Sequence, residues 1–267
     1  MEKKYTKYMF FQVFHKYILT LFLIGFIGVS LNLNANIIDQ GLEDDLVFVE
    51  ANYIDSDKQN MEYKLIPYGE RREDNGLSFS IFSSQFDPND YQPKFSVNTF
   101  EQVYGVKNGT GIGVSFSVKN HYSFMTFSYD FGVSFYSVES LASADDVSTL
   151  KVTPLHFGAK ISFETLMNEP YFVPFIGGGI YIAQYEEQQN NNPTFKGNTQ
   201  PAGYFHLGGL IQLDWLDRDT AKNAFVESGL QNTFLFFEGK SFLASSNAVD
   251  PSFATDVQLN AGLQLEF

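Results

Sequence analysis

The sequence predicts an all-β fold: an eight-stranded antiparallel up-and-down transmembrane β-barrel that follows a cleaved signal peptide and a short periplasmic N-terminal leader. Three observations predict it. Apolar and polar residues alternate within segments of about ten residues, connections between the segments are alternately long and short, and the chain begins with a secretory signal. We assign residues 1–35 to the signal peptide, 36–75 to the leader and 76–267 to the barrel.

The first residues of the chain are typical of a signal for export. Lysines precede an apolar run over residues 17–29, which is too short for a comfortable membrane-spanning helix, and a cleavage site follows at Ala35. An uncleaved anchor helix is the alternative. Cleavage removes four lysines and one glutamate, so the net charge of −14 becomes −17 in the mature chain. Such an acidic chain is a poor partner for nucleic acid, whose phosphates must be neutralised by Lys and Arg.

The alternating segments predict eight strands in order. Strand two is the most regular, because Ile112, Val114 and Phe116 alternate with Gly111, Gly113 and Ser115. The strands cover residues 76–86, 110–119, 123–138, 149–163, 171–185, 202–215, 225–241 and 254–267. Residues 216–224 are predicted to be a turn with room for a single helical turn. The longer connections, which would face the cell exterior, are residues 87–109, 139–148, 186–201 and 242–253.

The last strand carries a terminal pattern of its own. Residues 254–267 alternate up to a final Phe, and their end resembles the polar-x-Gly-x-x-apolar-x-aromatic signal that is read by the barrel assembly machinery. In this sequence the signal residues are Asn260, Gly262, Leu265 and Phe267. The edge strand of a soluble β-sandwich is the alternative interpretation of the same segment.

In a membrane barrel the apolar face contacts lipid and the polar face lines the interior, because every backbone polar group must be paired within the wall. Eight strands leave an interior that side chains can fill, so a porin channel is not expected. Asp130 is predicted to lie opposite His156 as part of an internal structural network rather than as a catalytic pair. The predicted polar lumen network is Asp130, His156, Lys160, Gln212, Asp214, Glu227, Gln231, Gln258 and Gln264.

Chemistry-bearing motifs are few. Cysteine is absent, so no disulfide or Cys-ligated metal is possible. His121, His156 and His206 lie on separate predicted elements without the spacing of metal ligands, and the glycines at 177–179 lack the spacing of a phosphate loop. We therefore expect no catalytic residues, no metal and no cofactor.

Six stretches carry a resemblance to a known family: PKFSVNTFEQVYG, LKVTPLHFGAK, NEPYFVPFIGGGIY, GLIQLDWLDRDTAKNAF, GLQNTFLFFE and LNAGLQLEF. Residues 70–267 resemble a family of small Gram-negative outer-membrane β-barrel proteins and, more distantly, the OmpA/OmpW-type barrels. The resemblance implies the barrel fold and the outer membrane of a Gram-negative bacterium. That family has no agreed activity, so the resemblance supplies no site residues.

The leading functional hypothesis is a structural or surface-interaction protein that acts through its external loops, since aromatic, Asn and Ser side chains suit adaptable recognition. The alternatives are a narrow OmpW-like channel for small or apolar solutes and a lipid A-modifying enzyme. Expected partners are outer-membrane lipid and lipopolysaccharide, the barrel assembly machinery, and a surface ligand or partner outer-membrane protein. The predicted recognition residues are Tyr91, Phe95, Phe100, Tyr104, Asn190, Asn191, Asn192 and Phe195.

Overall fold

The computed structural model of the chain contains two compact units, one ending at Leu65 and one that runs from Ile66 to Phe267. In the first unit, β1 (Val49–Ala51) pairs antiparallel with β2 (Tyr63–Leu65). The predicted signal peptide and most of the predicted leader lie outside the described residues. The structure describes residues 49–51, 63–65, 67–105, 109–140, 147–189, 192–247 and 249–267.

Eight long strands of the second unit form a closed antiparallel barrel. Each strand pairs with the next along the chain, and Ser78–Ser84 of the first strand pairs with Asn260–Glu266 of the last to close the wall. The predicted fold class is thereby confirmed. The barrel strands are β3 (Asn75–Phe86), β4 (Gly109–His121), β5 (Thr126–Glu139), β6 (Ser148–Ser162), β7 (Phe172–Gln189), β9 (Ala202–Gln212), β10 (Asn232–Phe242) and β11 (Gln258–Glu266), and a short strand, β8 (Phe195–Asn198), pairs only with the far part of β7.

Helices occur only in the connections between the described strands. They are α1 (Tyr68–Arg71), α2 (Phe100–Tyr104), α3 (Arg218–Ser228) and a 3-10 turn at Glu164–Leu166. None of the described helices is long and apolar enough to cross a membrane. We call the barrel end that holds the start of β3 and Phe267 the terminal end, and the opposite end the loop end.

Helix α3 corrects one part of the sequence prediction. The predicted strand over 225–241 begins only at Asn232, because residues 218–228 are helical. The Asp217 side chain caps the helix by accepting the Thr220 N–H at 3.0 Å, and Gly229 ends it with a φ of 69°. These local signals are stronger than the weak alternation of residues 225–231.

The two faces of the wall differ in chemistry. Large apolar side chains point outward and stay exposed, as in Phe135 (56%), Ile176 (57%) and Leu259 (67%). Inward positions of the same strands carry buried polar residues such as Ser117 and Gln264. A soluble barrel has the opposite arrangement, so the wall is built to face lipid.

Inward-facing glycines make room for the largest interior side chains. A Cβ on Gly132 would collide with the His156 ring, and a Cβ on Gly177 would collide with the ring of His206. The interior is therefore packed by pairing a glycine on one strand with a large residue on the next. This packing brings the charged interior residues close together.

Candidate functional site

The middle of the barrel interior holds a buried charged cluster. The Glu238 carboxylate lies 2.7 Å from His206 Nδ1 and 3.3 Å from Lys240 Nζ, and it accepts a hydrogen bond of 2.8 Å from Asn260 Nδ2. On strands β5 and β6, Lys160 Nζ lies 3.5 Å from Asp130 Oδ1. Each buried charge thus has a partner of opposite sign, which a low-dielectric interior requires.

Little space remains around this cluster. The cavity at its centre has a volume of about 30 Å³ and is bounded by residues that include Phe82, Phe175, Tyr204 and Phe236. A cavity of this size has room for a few water molecules at most. The described interior is therefore filled at mid-height.

The structure places most residues of the predicted lumen network inside the barrel. Asp130, His156, Lys160, Gln212, Gln258 and Gln264 point inward and are buried, whereas Asp214 and Gln231 are partly buried at the terminal end. Glu227 is exposed on α3, so its predicted lumen position is wrong. Asp130 pairs with Gly158 and His156 with Gly132, so the expected Asp130–His156 register was off by two residues.

Several interior charges escaped the sequence prediction. Glu238 and Lys240 follow Phe234 and Phe236 along the inward face of β10. Their parity is readable in the sequence, but a strand that begins at residue 225 favours the opposite parity, on which Glu227 lies. Lys119, which lies on the polar face of β4, was overlooked in the same way.

The terminal end is closed by a second buried cluster, which we call the inner plug: Tyr68, Lys119, Glu164 and Glu266. Lys119 Nζ lies 2.9 Å from Glu164 and 2.7 Å from Glu266, and all three side chains are almost completely buried. The Tyr68 hydroxyl donates to Glu266 from the short helix α1. Residues directly before the first barrel strand therefore fill this end of the lumen.

The surroundings of the inner plug shift the pKa of two groups outside the strands. Burial alone would raise the pKa of Glu164, but the Lys119 ammonium and His121 outweigh burial and hold it below the usual value. Burial, together with the Glu266 and Glu164 carboxylates, raises the pKa of Tyr68 well above its ordinary value. Glu164 is thus held as a carboxylate and Tyr68 as a hydrogen-bond donor.

His121, Glu164 and Glu266 are the group of described side chains whose donor atoms are close enough together to hold a metal ion. Lys119 Nζ, however, already contacts both carboxylates. The ammonium supplies the positive charge that a metal would supply. The arrangement is therefore that of a buried ion-pair cluster.

The loop end is closed by the connection between β3 and β4. The buried Glu187 carboxylate on β7 accepts hydrogen bonds of 2.9 Å from the hydroxyls of Tyr91 and Tyr104 and from the Lys94 N–H. Tyr91 also stacks on Phe253, with ring centroids 5.3 Å apart. We call Tyr91, Phe100, Tyr104, Glu187 and Phe253 the outer plug.

The outer plug changes the interpretation of the predicted recognition residues. Tyr91, Phe100 and Tyr104 are at most 2% exposed, so their prediction as surface residues is wrong. They pack inward because aromatic rings at this spacing fill the mouth of the barrel. Phe95 is partly buried, Asn192 and Phe195 are exposed, and Asn190 and Asn191 lie outside the described residues.

The residues of the predicted assembly signal lie on both faces of β11. Asn260 points inward, and its side chain bonds to Ser84 and Glu238. A Cβ on Gly262 would collide with the backbone of Ile81, so the glycine permits close approach at the seam. Leu265 and Phe267 point outward, and Phe267 is 43% exposed.

A closed eight-stranded wall with an apolar outer surface and a filled polar interior defines a transmembrane β-barrel, because only a closed sheet satisfies its backbone in lipid. The chain is a transmembrane β-barrel protein.

No protein-family model and no curated protein matches the sequence. Several solved structures have a similar fold. OprG from Pseudomonas aeruginosa is 11% identical, with a TM-score of 0.46 over 73% of this chain and 97% of that one. Ail of Yersinia pestis, solved in complex with the heparin analogue sucrose octasulfate, is 11% identical, with a TM-score of 0.40 over 72% and 97%. Neisserial surface protein A is 8% identical, with a TM-score of 0.40 over 73% and 98%. No residue role carries over at such identities.

Proposed function

We propose that the chain is a sealed, non-catalytic barrel in the outer membrane of a Gram-negative bacterium and that it acts through surface interactions at its loop end. The observation that carries the proposal is the closure of the lumen by the inner plug at one end and the outer plug at the other. A lumen filled at both ends and at mid-height offers no path for a solute. The exposed surface is then the part of the protein that remains available for function.

The outer plug also supports the proposal by making the loop end a platform. Its hydrogen bonds and ring contacts fix the base of the β3–β4 connection, while the residues above them are exposed. Val97 is 91% exposed and Val249 84% exposed, and Phe195 on the β7–β8 hairpin is exposed as well. Binding residues held on loops above a rigid scaffold are a common arrangement.

Two alternatives are less well supported. For the barrel to act as a narrow channel, both plugs and the central charged cluster would have to move. This movement would leave buried charges without some of their partners of opposite sign. A lipid A-modifying enzyme that uses histidine as its acid–base group would need that histidine near the outer membrane face. Residues 87–109, 139–148, 186–201 and 242–253 contain no histidine, and His156 and His206 are buried in the lumen.

The partners that we propose follow from this location. Outer-membrane lipid and lipopolysaccharide would surround the wall, and the barrel assembly machinery would insert it. A surface ligand or a second outer-membrane protein would bind above the outer plug. Nucleic acid is not expected, since the mature chain would carry a net charge of −17.

Planar-bilayer recordings test whether the barrel is sealed. We expect the purified, folded protein to give no stepwise ion conductance, because the inner plug, the central charged cluster and the outer plug fill the described lumen. OprG-type and porin-type barrels, recorded in the same bilayers, serve as references. Reproducible conductance steps from the wild-type barrel would favour the channel alternative.

Adhesion of bacteria to cultured epithelial cells tests the surface role. Cells that express the wild type should adhere more than cells that express Val97→Asp/Val249→Asp, a variant that changes only exposed positions. Heat-modifiable migration on gels shows whether both barrels are folded. Equal adhesion by the wild type, the variant and a strain without the barrel would reject the surface role.

A further inference from the structure

The apolar belt on the outside of the barrel changes to polar side chains over three successive rows. Ile81, Val114, Val133, Leu155 and Ile182 form an apolar row across β3 to β7. One step toward the loop end, the outward row is mixed: Ser83, Thr153 and Gln184 are polar, whereas Ile112 and Phe135 are apolar. A further step brings Gln85, Thr110, Ser137, Lys151 and Glu186. The membrane surface therefore lies between the first row and the third on this side of the barrel.

A groove of about 580 Å³ lies in the outer wall at this boundary. Ile112 and Phe135 line its apolar part, and both are exposed. Ser137, Lys151 and Thr153 line its polar part. The groove thus presents apolar contacts toward the membrane and hydrogen-bonding groups toward the loop end.

Two lysines flank one glutamate beside this groove. Lys151 on β6 lies opposite Glu186 on β7, which lies opposite Lys196 on β8. Residues directly opposite in an antiparallel pair share a face, and neighbouring strands are about 4.8 Å apart, so the two lysines lie roughly 10 Å from each other. The row carries a net positive charge on a chain that is otherwise acidic.

The lysines are available for a ligand. Lys151 and Lys196 are exposed, and neither forms an ion pair with another residue in the described part of the chain. Among the described outward-facing residues of the eight barrel strands, Lys151 is the one basic residue. Its position at the edge of the apolar belt is where a lipid headgroup would meet the wall.

We propose that this groove and the two lysines bind a phosphate-bearing glycolipid of the outer leaflet. A phosphate would contact Lys151 and Lys196, sugar hydroxyls would bond with Ser137 and Thr153, and an acyl chain would lie along Ile112 and Phe135. The groove spans both sides of the membrane boundary, so it fits a molecule with a charged head and an apolar tail. The inference rests on the proposed orientation of the loop end toward the exterior and is independent of the proposed surface ligand.

Lipid binding to the folded barrel tests the proposal. The barrel is reconstituted in phosphatidylcholine nanodiscs doped with lipid A, and retained lipid A is measured by native mass spectrometry. Lys151→Glu/Lys196→Glu should weaken lipid A retention roughly tenfold, since each basic residue near an anionic lipid surface adds to binding. Glu186→Gln should strengthen retention, because it removes the repelling carboxylate between the lysines.

Three comparisons make the result decisive. Lys222→Glu applies the same charge reversal on α3 at the opposite end and should retain lipid A like the wild type. Lipid A from which the phosphates have been removed should bind all variants equally. If the glutamate variant does not fold, Lys151→Gln/Lys196→Gln replaces it. Unchanged retention by a folded lysine variant, or equal retention of dephosphorylated lipid A by the wild type, overturns the proposal whatever the adhesion result.

Discussion

Lys119 depends strongly on its neighbours, because its charged side chain is fully buried between Glu164 and Glu266. An ammonium in this position is tolerated only with partners that are equally buried and well placed, and removing one partner of such a group costs about 3–5 kcal/mol. The alternation of β4 puts Lys119 on the same face as Ser115 and Ser117, although the predicted lumen network omits it. The alternation could not identify Glu164 as a partner, because Glu164 lies in a turn and approaches through the closed barrel.

At the residue scale, Glu164 predicts the acid sensitivity of the inner plug. Its native pKa lies below the ordinary value of 4.5, so the unfolded chain binds the proton more tightly. Its contribution to stability is therefore present above about pH 4.5 and is lost as the pH falls through the native pKa, at ~1.4 kcal/mol for each unit of lowered pKa. Urea unfolding in lipid vesicles between pH 5 and 3 should show a smaller loss of unfolding free energy for Glu164→Gln than for the wild type.

Glu227→Gln is the matched control for this pH series. Glu227 is exposed on α3 and makes no contact with the inner plug. Its variant should follow the wild-type pH dependence. A Glu164→Gln variant with the same slope as the wild type would show that the Lys119 contact does not set the acid response.

At the scale of elements, the barrel strands were predictable and the connections were not. Alternation depends on which side of a strand each residue occupies, and a continuous wall enforces it over many residues. Helix α3 instead depends on a cap at Asp217 and a left-handed Gly229, and both signals are short. The aromatic residues of the β3–β4 connection suit recognition when only the sequence is considered. Burial of their rings, however, depends on Phe253 and Glu187, which are far away in the sequence.

The β3–β4 connection should behave as one fastened element. Glu187→Gln replaces one carboxylate oxygen with an NH2 group that donates and does not accept. The oxygen lost is either the one that accepts from the Tyr91 hydroxyl and the Lys94 N–H or the one that accepts from the Tyr104 hydroxyl. Leaving buried donors without an acceptor costs about 1–3 kcal/mol. We expect lower unfolding free energy and faster proteolytic cleavage within residues 87–105.

Glu186→Gln provides the control for the outer plug. Glu186 directly precedes Glu187 on β7 and points outward, away from Tyr91 and Tyr104. It should leave proteolysis of residues 87–105 unchanged. Equal cleavage rates for the wild type and Glu187→Gln would mean that ring packing alone holds the element.

At the scale of the whole molecule, closure of the barrel and its assembly into the membrane depend on different parts of Phe267. The main chain of Phe267 exchanges two hydrogen bonds of 2.8 Å with Leu77, while its side chain points outward. Phe267→Ala should therefore refold in detergent or lipid vesicles much like the wild type. In cells it should give far less folded barrel, because we predict that the terminal aromatic residue is part of the assembly signal.

Leu263→Ala is the matched control for Phe267→Ala. Leu263 is 45% exposed on the same outward face of β11, but it is not part of the predicted signal. Heat-modifiable migration of outer-membrane fractions measures the folded barrel in cells. Equal loss of folded barrel for both variants would show that the barrel needs an apolar side chain at this seam. It would also show that the assembly machinery does not recognise Phe267 as a signal.

The pairing of glycines with large interior residues has a consequence for how such barrels differ from one another. Gly132, Gly158 and Gly177 give the wall its clearance, and the His156, Tyr204 and His206 side chains occupy it. Exchanging these occupants for small residues would empty a column of space without altering one main-chain hydrogen bond of the wall. A few side-chain exchanges therefore decide whether the middle of an eight-stranded barrel is filled or hollow, while the inner and outer plugs decide whether its ends are open.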